Sequence, residues 1–371
     1  MSTLLRSGRK ALSLATRTPS LALATSRGSL FQIPRGFQTA VVARTEATVT
    51  AEKRKRVIQI FDPTTELIEA SEISKIAIPE GVSTAFGEHY RRMVMGFQKA
   101  DLAHNALRVF SYQIASPRDA EIFATLLKQW RATGHSFSKG DSLVVLESLW
   151  NAGAYDTILE LWCDRPSYNM VFGLDYAHRL MRSFQTEALA KGVSEEAHIA
   201  ALDKLYKTFA VALSYDYPPT SETYAILIST GAYGRTSEGW RRSLVTAKEQ
   251  ISLGLPFTPE STIALVDGYL KTGLTKEAAS LITSERKRLP ALRALDLFQI
   301  QVALASQNYV QAIEAYTQLK ANDAPEDSAV FGSWLWESEA QVVDKLIQAL
   351  AADPANETML KKVESLRSGA R

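Results

Sequence analysis

The residues best equipped for chemistry in this chain are cations. Arg91-Arg92 and Arg241-Arg242 stand as pairs, Arg286-Lys287-Arg288 as a triplet, and Lys53-Arg54-Lys55-Arg56 as a run. A guanidinium presents a planar fork of donors that matches two phosphate oxygens, so these clusters are candidate RNA contacts. Each also fits a solvated helix face or a partner for the negative end of a helix dipole. Arg286 to Arg288 is the strongest candidate, because its charges gather at an expected helix end just before Pro290. Trp334-Leu335-Trp336 is a candidate of another kind. Successive residues cannot all face one core, so Trp334 or Trp336 is a candidate partner anchor, the alternative being burial of both against the last helices.

Other chemistries find no foothold. Cys163 is the single cysteine, which excludes a disulfide framework and a thiolate zinc cluster. His89, His104, His135, His178 and His198 never fall at i, i+4 and have no motif of ligands nearby. Phosphate-cradling G-x-x-x-x-G-K-[ST], dinucleotide G-x-G-x-x-G and nucleophile-elbow G-x-S-x-G patterns are missing. The expectation is a protein that binds and does not catalyse, with no cofactor, metal or small-molecule substrate.

The N-terminus carries its own signal. Seven basic groups (Arg6, Arg9, Lys10, Arg17, Arg27, Arg35, Arg44) and a dozen Ser or Thr precede Glu46, the first acid. Leucines at 4, 5, 12 and 14 with cations between them can form a short amphipathic basic helix, and the composition is that of a transit peptide. Residues 1–45 are therefore expected to direct the chain to the mitochondrial matrix, with cleavage after Phe37; the alternative is a basic arm that binds nucleic acid. No apolar run reaches the roughly 18 residues of a membrane span. The whole chain has 42 basic and 40 acidic residues, so removing the seven early cations leaves 35 against 40. Non-specific phosphate neutralisation favours a basic balance, so RNA contact in a mildly acidic mature protein must be local.

From about residue 83 the apolar residues recur at three and four, which predicts helices. Glycine and proline breaks come at short intervals, among them Gly140, Gly153, Pro218-Pro219, Gly231, Gly254, Pro259 and Gly273. Each is read as a helix stop or start. The fold class expected is all-α: a degenerate helix-turn-helix repeat solenoid with an N-terminal extended arm. Residues 46–82 form that basic arm and a short helix, 83–325 the repeats, and 326–371 two capping or docking helices, about Leu335 to Ala351 and Pro354 to Ser368.

The repeat signal is clearest from Thr262 to Gly273, a helix ending in a glycine, followed by a partner that begins at Leu274-Thr275-Lys276-Glu277-Ala278. Here the chain resembles the pentatricopeptide repeat, whose second helix carries a small residue and an apolar one four places later. Ala278 and Ile282 occupy those positions, as do Ala106 and Phe110, Ile158 and Trp162, and Ala312 and Tyr316. The small residue permits close helix approach and the large one fills the groove beside it. Trp130, Trp150, Trp162 and Trp240 sit on apolar faces and are expected in the core.

In sequence-reading members of that family, the residue after the first-helix aromatic hydrogen-bonds a base edge. Aligned on Gly153, Gly231 and Gly273, this chain offers Leu143, Ala225 or a near neighbour, and Ile263, none of which can donate or accept. The segment Leu149-Trp150-Asn151-Ala152-Gly153-Ala154-Tyr155-Asp156, with Trp162 and Tyr168, resembles the pentatricopeptide-type proteins of the mitochondrial small ribosomal subunit. That resemblance implies a scaffold contacting ribosomal proteins and rRNA. Two alternatives stay open: a pentatricopeptide factor binding a mitochondrial mRNA for its stability or translation, and a protein-binding adaptor or assembly factor.

Overall fold

A computed structural model describes residues 72–99, 106–234, 236–289, 292–321 and 338–368, and every regular element among them is helical. Six helices come first: α1 (Thr84–Lys99), α2 (Ala106–Ser111), α3 (Pro117–Ala132), α4 (Lys139–Asn151), α5 (Tyr155–Cys163) and the short α6 (Arg165–Tyr168). Helix pairs follow: α7 (Leu174–Ala188) with α8 (Glu195–Ser214), α9 (Ser221–Tyr233) with α10 (Ser237–Ser252), and α11 (Pro259–Lys271) with α12 (Thr275–Arg286). Two more complete the series, α13 (Arg293–Ala305) with α14 (Tyr309–Ala321) and α15 (Glu339–Ala351) with α16 (Glu357–Ser368). Within each pair the helices pack together, and the first helices α7, α9, α11, α13 and α15 pack in succession. This is the architecture of a tandem helix-turn-helix solenoid. No described helix is long and apolar enough to cross a membrane.

Local sequence explains where these helices begin. At α9 the Thr220 hydroxyl accepts from the Thr223 N–H while the Thr223 side chain returns to the Thr220 N–H. Thr258 and Ser261 close the same reciprocal box at α11, Ser116 and Asp119 at α3, and Ser338 and Gln341 at α15. Each cap satisfies donors that a helix start leaves orphaned, a contribution of about 1 kcal/mol. Asp353 likewise caps the 3-10 turn Pro354–Asn356 that leads into α16.

Glycine does two jobs here. Gly273 ends α11 in the left-handed region at φ +75°, where the following Leu274 N–H reaches back to the Tyr269 carbonyl at 2.8 Å. Gln307 holds the same kind of conformation, φ 57°, beyond α13. Gly231 does not break a helix as its sequence context suggested; it lies inside α9. An added Cβ there would sit 2.5 Å from the Gly239 carbonyl oxygen and 2.4 Å from Ser243 Oγ, so this glycine exists for the close crossing of α9 and α10. Gly140 similarly falls inside the first turn of α4.

The small and large positions of the second helices point inward. Ala278, Ile282, Ala312, Tyr316, Ile158, Trp162 and Phe110 are buried, and Ala106 packs half-buried against the same core. Trp130, Trp150 and Trp162 are core residues, and Trp240 packs partly buried against the same apolar cluster, its ring beside Tyr269. The apolar interior continues along the helix series, from a cluster running between Phe86 and Leu265 to one around Ile263, Ile282 and Phe298 and then one around Ile313, Leu346 and Val363. Such neighbour-to-neighbour burial is what stacked repeats require.

Candidate RNA and partner interface

Two of the three first-helix positions that would read bases in the resembling family are closed here. Ala225 and Ile263 are buried within α9 and α11, and Leu143 is half-buried on α4. Helix α9 buries eleven of its 13 residues, so almost none of it is available to a ligand.

Polar groups between the first helices are spent on one another. Glu260, at the start of α11, takes a two-pronged ion pair from Arg182 of α7, Nη1 to Oε1 at 2.7 Å and Nη2 to Oε2 at 2.8 Å. Ser229 of α9 donates to the same Oε1 at 2.7 Å and itself accepts from the Gln185 amide at 2.7 Å. Burial pushes the Glu260 carboxyl up, but Arg182, Ser229 and Gln185 outweigh it and hold the group below its ordinary value. One helix register earlier, His178 of α7 meets Thr223 Oγ1 at 2.8 Å and lies 3.5 Å from Glu222. Burial lowers the His178 imidazole against the opposing pull of Glu222. Farther along, Glu339 at the start of α15 pairs with Arg293 of α13 and with Lys320 of α14, the latter at 2.7 Å. First-turn acids thus tie a first helix to the preceding one twice, through Glu260 and Glu339, while Thr223 makes the tie at α9. The sequence reading did not identify this seam.

The basic clusters are largely engaged within the chain. Arg241 donates from Nε and Nη2 to Glu238, at 2.7 and 2.8 Å, and Arg242 donates to Glu238 at 2.8 Å and to Asp203 at 2.6 Å. Hydrogen bonds from the two guanidiniums hold the Glu238 carboxyl at about 2. Arg286 pairs with the buried Asp296, and Arg288 with Glu285 and the Phe257 carbonyl. Arg91 donates to the Ile76 carbonyl at 2.9 Å and so anchors the segment before α1. Lys287 and Arg92 are exposed. Lys53, Arg54, Lys55, Arg56, Trp334 and Trp336 lie outside the described residues.

Two clefts flank α12. One, of about 380 Å³, lies between α10 and α12 and is mostly apolar; the other, of about 450 Å³, lies between α12 and α14 and includes Gln299, Gln311, Gln318 and Lys287. Among the described residues no group of three or more His, Cys, Asp or Glu could hold a metal ion. No protein-family model matches this chain, and no curated protein matches it.

Proposed function

We propose that this chain is a helical-repeat scaffold of the small subunit of the mitochondrial ribosome, holding neighbouring proteins and touching rRNA through isolated cations. The observation that carries the reading is the inward packing of Ala225 and Ile263, which leaves α9 and α11 no base-reading residue at those positions. The engaged Arg241, Arg242, Arg286 and Arg288 support it, since cations already paired to carboxylates contribute little to non-specific RNA affinity. The transit-peptide composition of residues 1–45 supports the compartment. The apolar cleft beside α12 favours a second reading, a matrix adaptor or assembly factor that binds protein alone.

Gradient sedimentation of the endogenous protein tests the proposal. It should migrate with small-subunit rRNA and stay there after mRNA is digested. Release on digestion would point to a transcript factor, and migration away from rRNA throughout would point to the adaptor.

A further inference from the structure

Helix α12 is thinly packed. Of its 12 residues only Ala278 and Ile282 are buried, and it stands as a ridge between the two clefts. The cleft on its α10 side has walls of two matched stripes. Leu244, Ala247, Lys248 and Ile251 recur at one and two turns along α10, and Glu277, Ser280, Leu281 and Ser284 do the same along α12. Leu265 and Tyr269 of α11 form the floor. Ile251 is 61 % exposed at the rim and Leu253, just beyond, 53 %. Large apolar side chains left in water beside an apolar cleft mark a surface meant to be covered.

We infer that the α10/α12 groove is a docking site for an amphipathic α-helix of a partner protein. The small Ala247, Ser280 and Ser284 let a helix axis approach closely, and Ile251 and Leu281 meet its apolar stripe. Each wall runs about two turns, or about 10 Å, so the occupant engages through roughly two to three turns. Charge fixes its chemistry and direction. Lys248 stands on the α10 wall and Glu277 on the α12 wall, so the helix carries Asp or Glu along one flank and Lys or Arg along the other. Glu285, the other acid in the groove, is already held by Arg288. A strand of RNA is disfavoured, because with Glu285 paired the groove sets one carboxylate, Glu277, against one lysine, Lys248, and has no excess positive charge to hold phosphates. An extended peptide is disfavoured as well, since its backbone needs a row of backbone donors and acceptors to pair with, and both walls are helices whose backbone groups are already bonded within the helix. The cleft on the other side of α12, lined by Gln299, Gln311 and Gln318, is more polar.

The inference deepens the scaffold reading but needs only that the repeats bind protein. The test places p-benzoylphenylalanine at Ser280 of the full chain in mitochondria, with the same group at Thr283, on the far flank of α12, as control. After irradiation, the linked peptide is sequenced. The expected result is one segment of one other protein, with apolar residues at i, i+3 or i+4, and i+7, an acidic flank and a basic flank, and no such product from Thr283. Ser284→Arg, an exposed change that fills the groove, should cut the yield at least tenfold with the helical circular dichroism unchanged. Linkage to RNA, to a second copy of this chain or to its own residues 1–71, or no linkage, would overturn the inference. A linked helix from a protein outside the ribosome would keep the groove and defeat the ribosomal reading. Sedimentation with the subunit without any linkage would do the reverse.

Discussion

Glu260 is where charge, burial and register meet. Its carboxylate accepts from side chains of α7 and α9 while sitting in the first turn of α11, so it fastens consecutive repeats. Its folded-state value is depressed below the unfolded one. The stability it supplies is therefore fully present above the unfolded carboxylate range and lost as pH falls through the folded value. Glu260→Gln keeps the shape and leaves Arg182 without its counter-charge, and should cost about 1 to 3 kcal/mol near neutral pH. Because protonation neutralises the wild-type carboxyl too, the gap between the two proteins in urea denaturation should narrow as pH drops below about 4. A gap independent of pH would mean that the ion pair contributes nothing.

At the scale of helices, packing is decided by where bulk is withheld. A Cβ on Gly268 would fall 2.2 Å from the Trp240 ring, and Ala278 has no exposed surface at the contact of α12 with its neighbours. Gly268→Ala and Ala278→Leu should each overpack the core and lower stability by about 1 to 3 kcal/mol, read as a reduced melting temperature. An unchanged melting temperature for Ala278→Leu would place that residue outside the core and undo the repeat register. The sequence made Ala278, Ile282, Ala312 and Tyr316 legible because a small-to-large step of four is a local helical pattern. Gly231 was misread because a glycine that ends a helix and one that admits a neighbouring helix look alike in one dimension. The Glu260 seam was invisible for a related reason: Arg182 and Glu260 lie 78 residues apart, and periodicity does not say which helices come to share an edge. The basic clusters were visible as charge, and Glu238 for Arg241 and Arg242 and Glu285 for Arg288 stand within four residues in the sequence, but Asp203 for Arg242 and Asp296 for Arg286 come from other helices.

For the whole molecule, compartment and ligand class are separate questions. Residues 1–45 fused to a soluble reporter should carry it into the mitochondrial matrix and be shortened near Phe37; a reporter retained in the cytosol would remove the argument for the compartment. What the repeats bind depends on whether any helix face is open to bases. With Ala225 and Ile263 packed inside, α9 and α11 offer no base edge a partner at those positions, and on the scaffold proposal any RNA contact falls to exposed cations such as Lys287 and Arg92. Equilibrium binding of the purified protein to short single-stranded mitochondrial RNAs and to scrambled versions of them tests this most directly. The account predicts weak, salt-sensitive binding that treats native and scrambled RNA alike. Discrimination by more than about tenfold, or about 1.4 kcal/mol, would contradict it and show that the repeats read sequence.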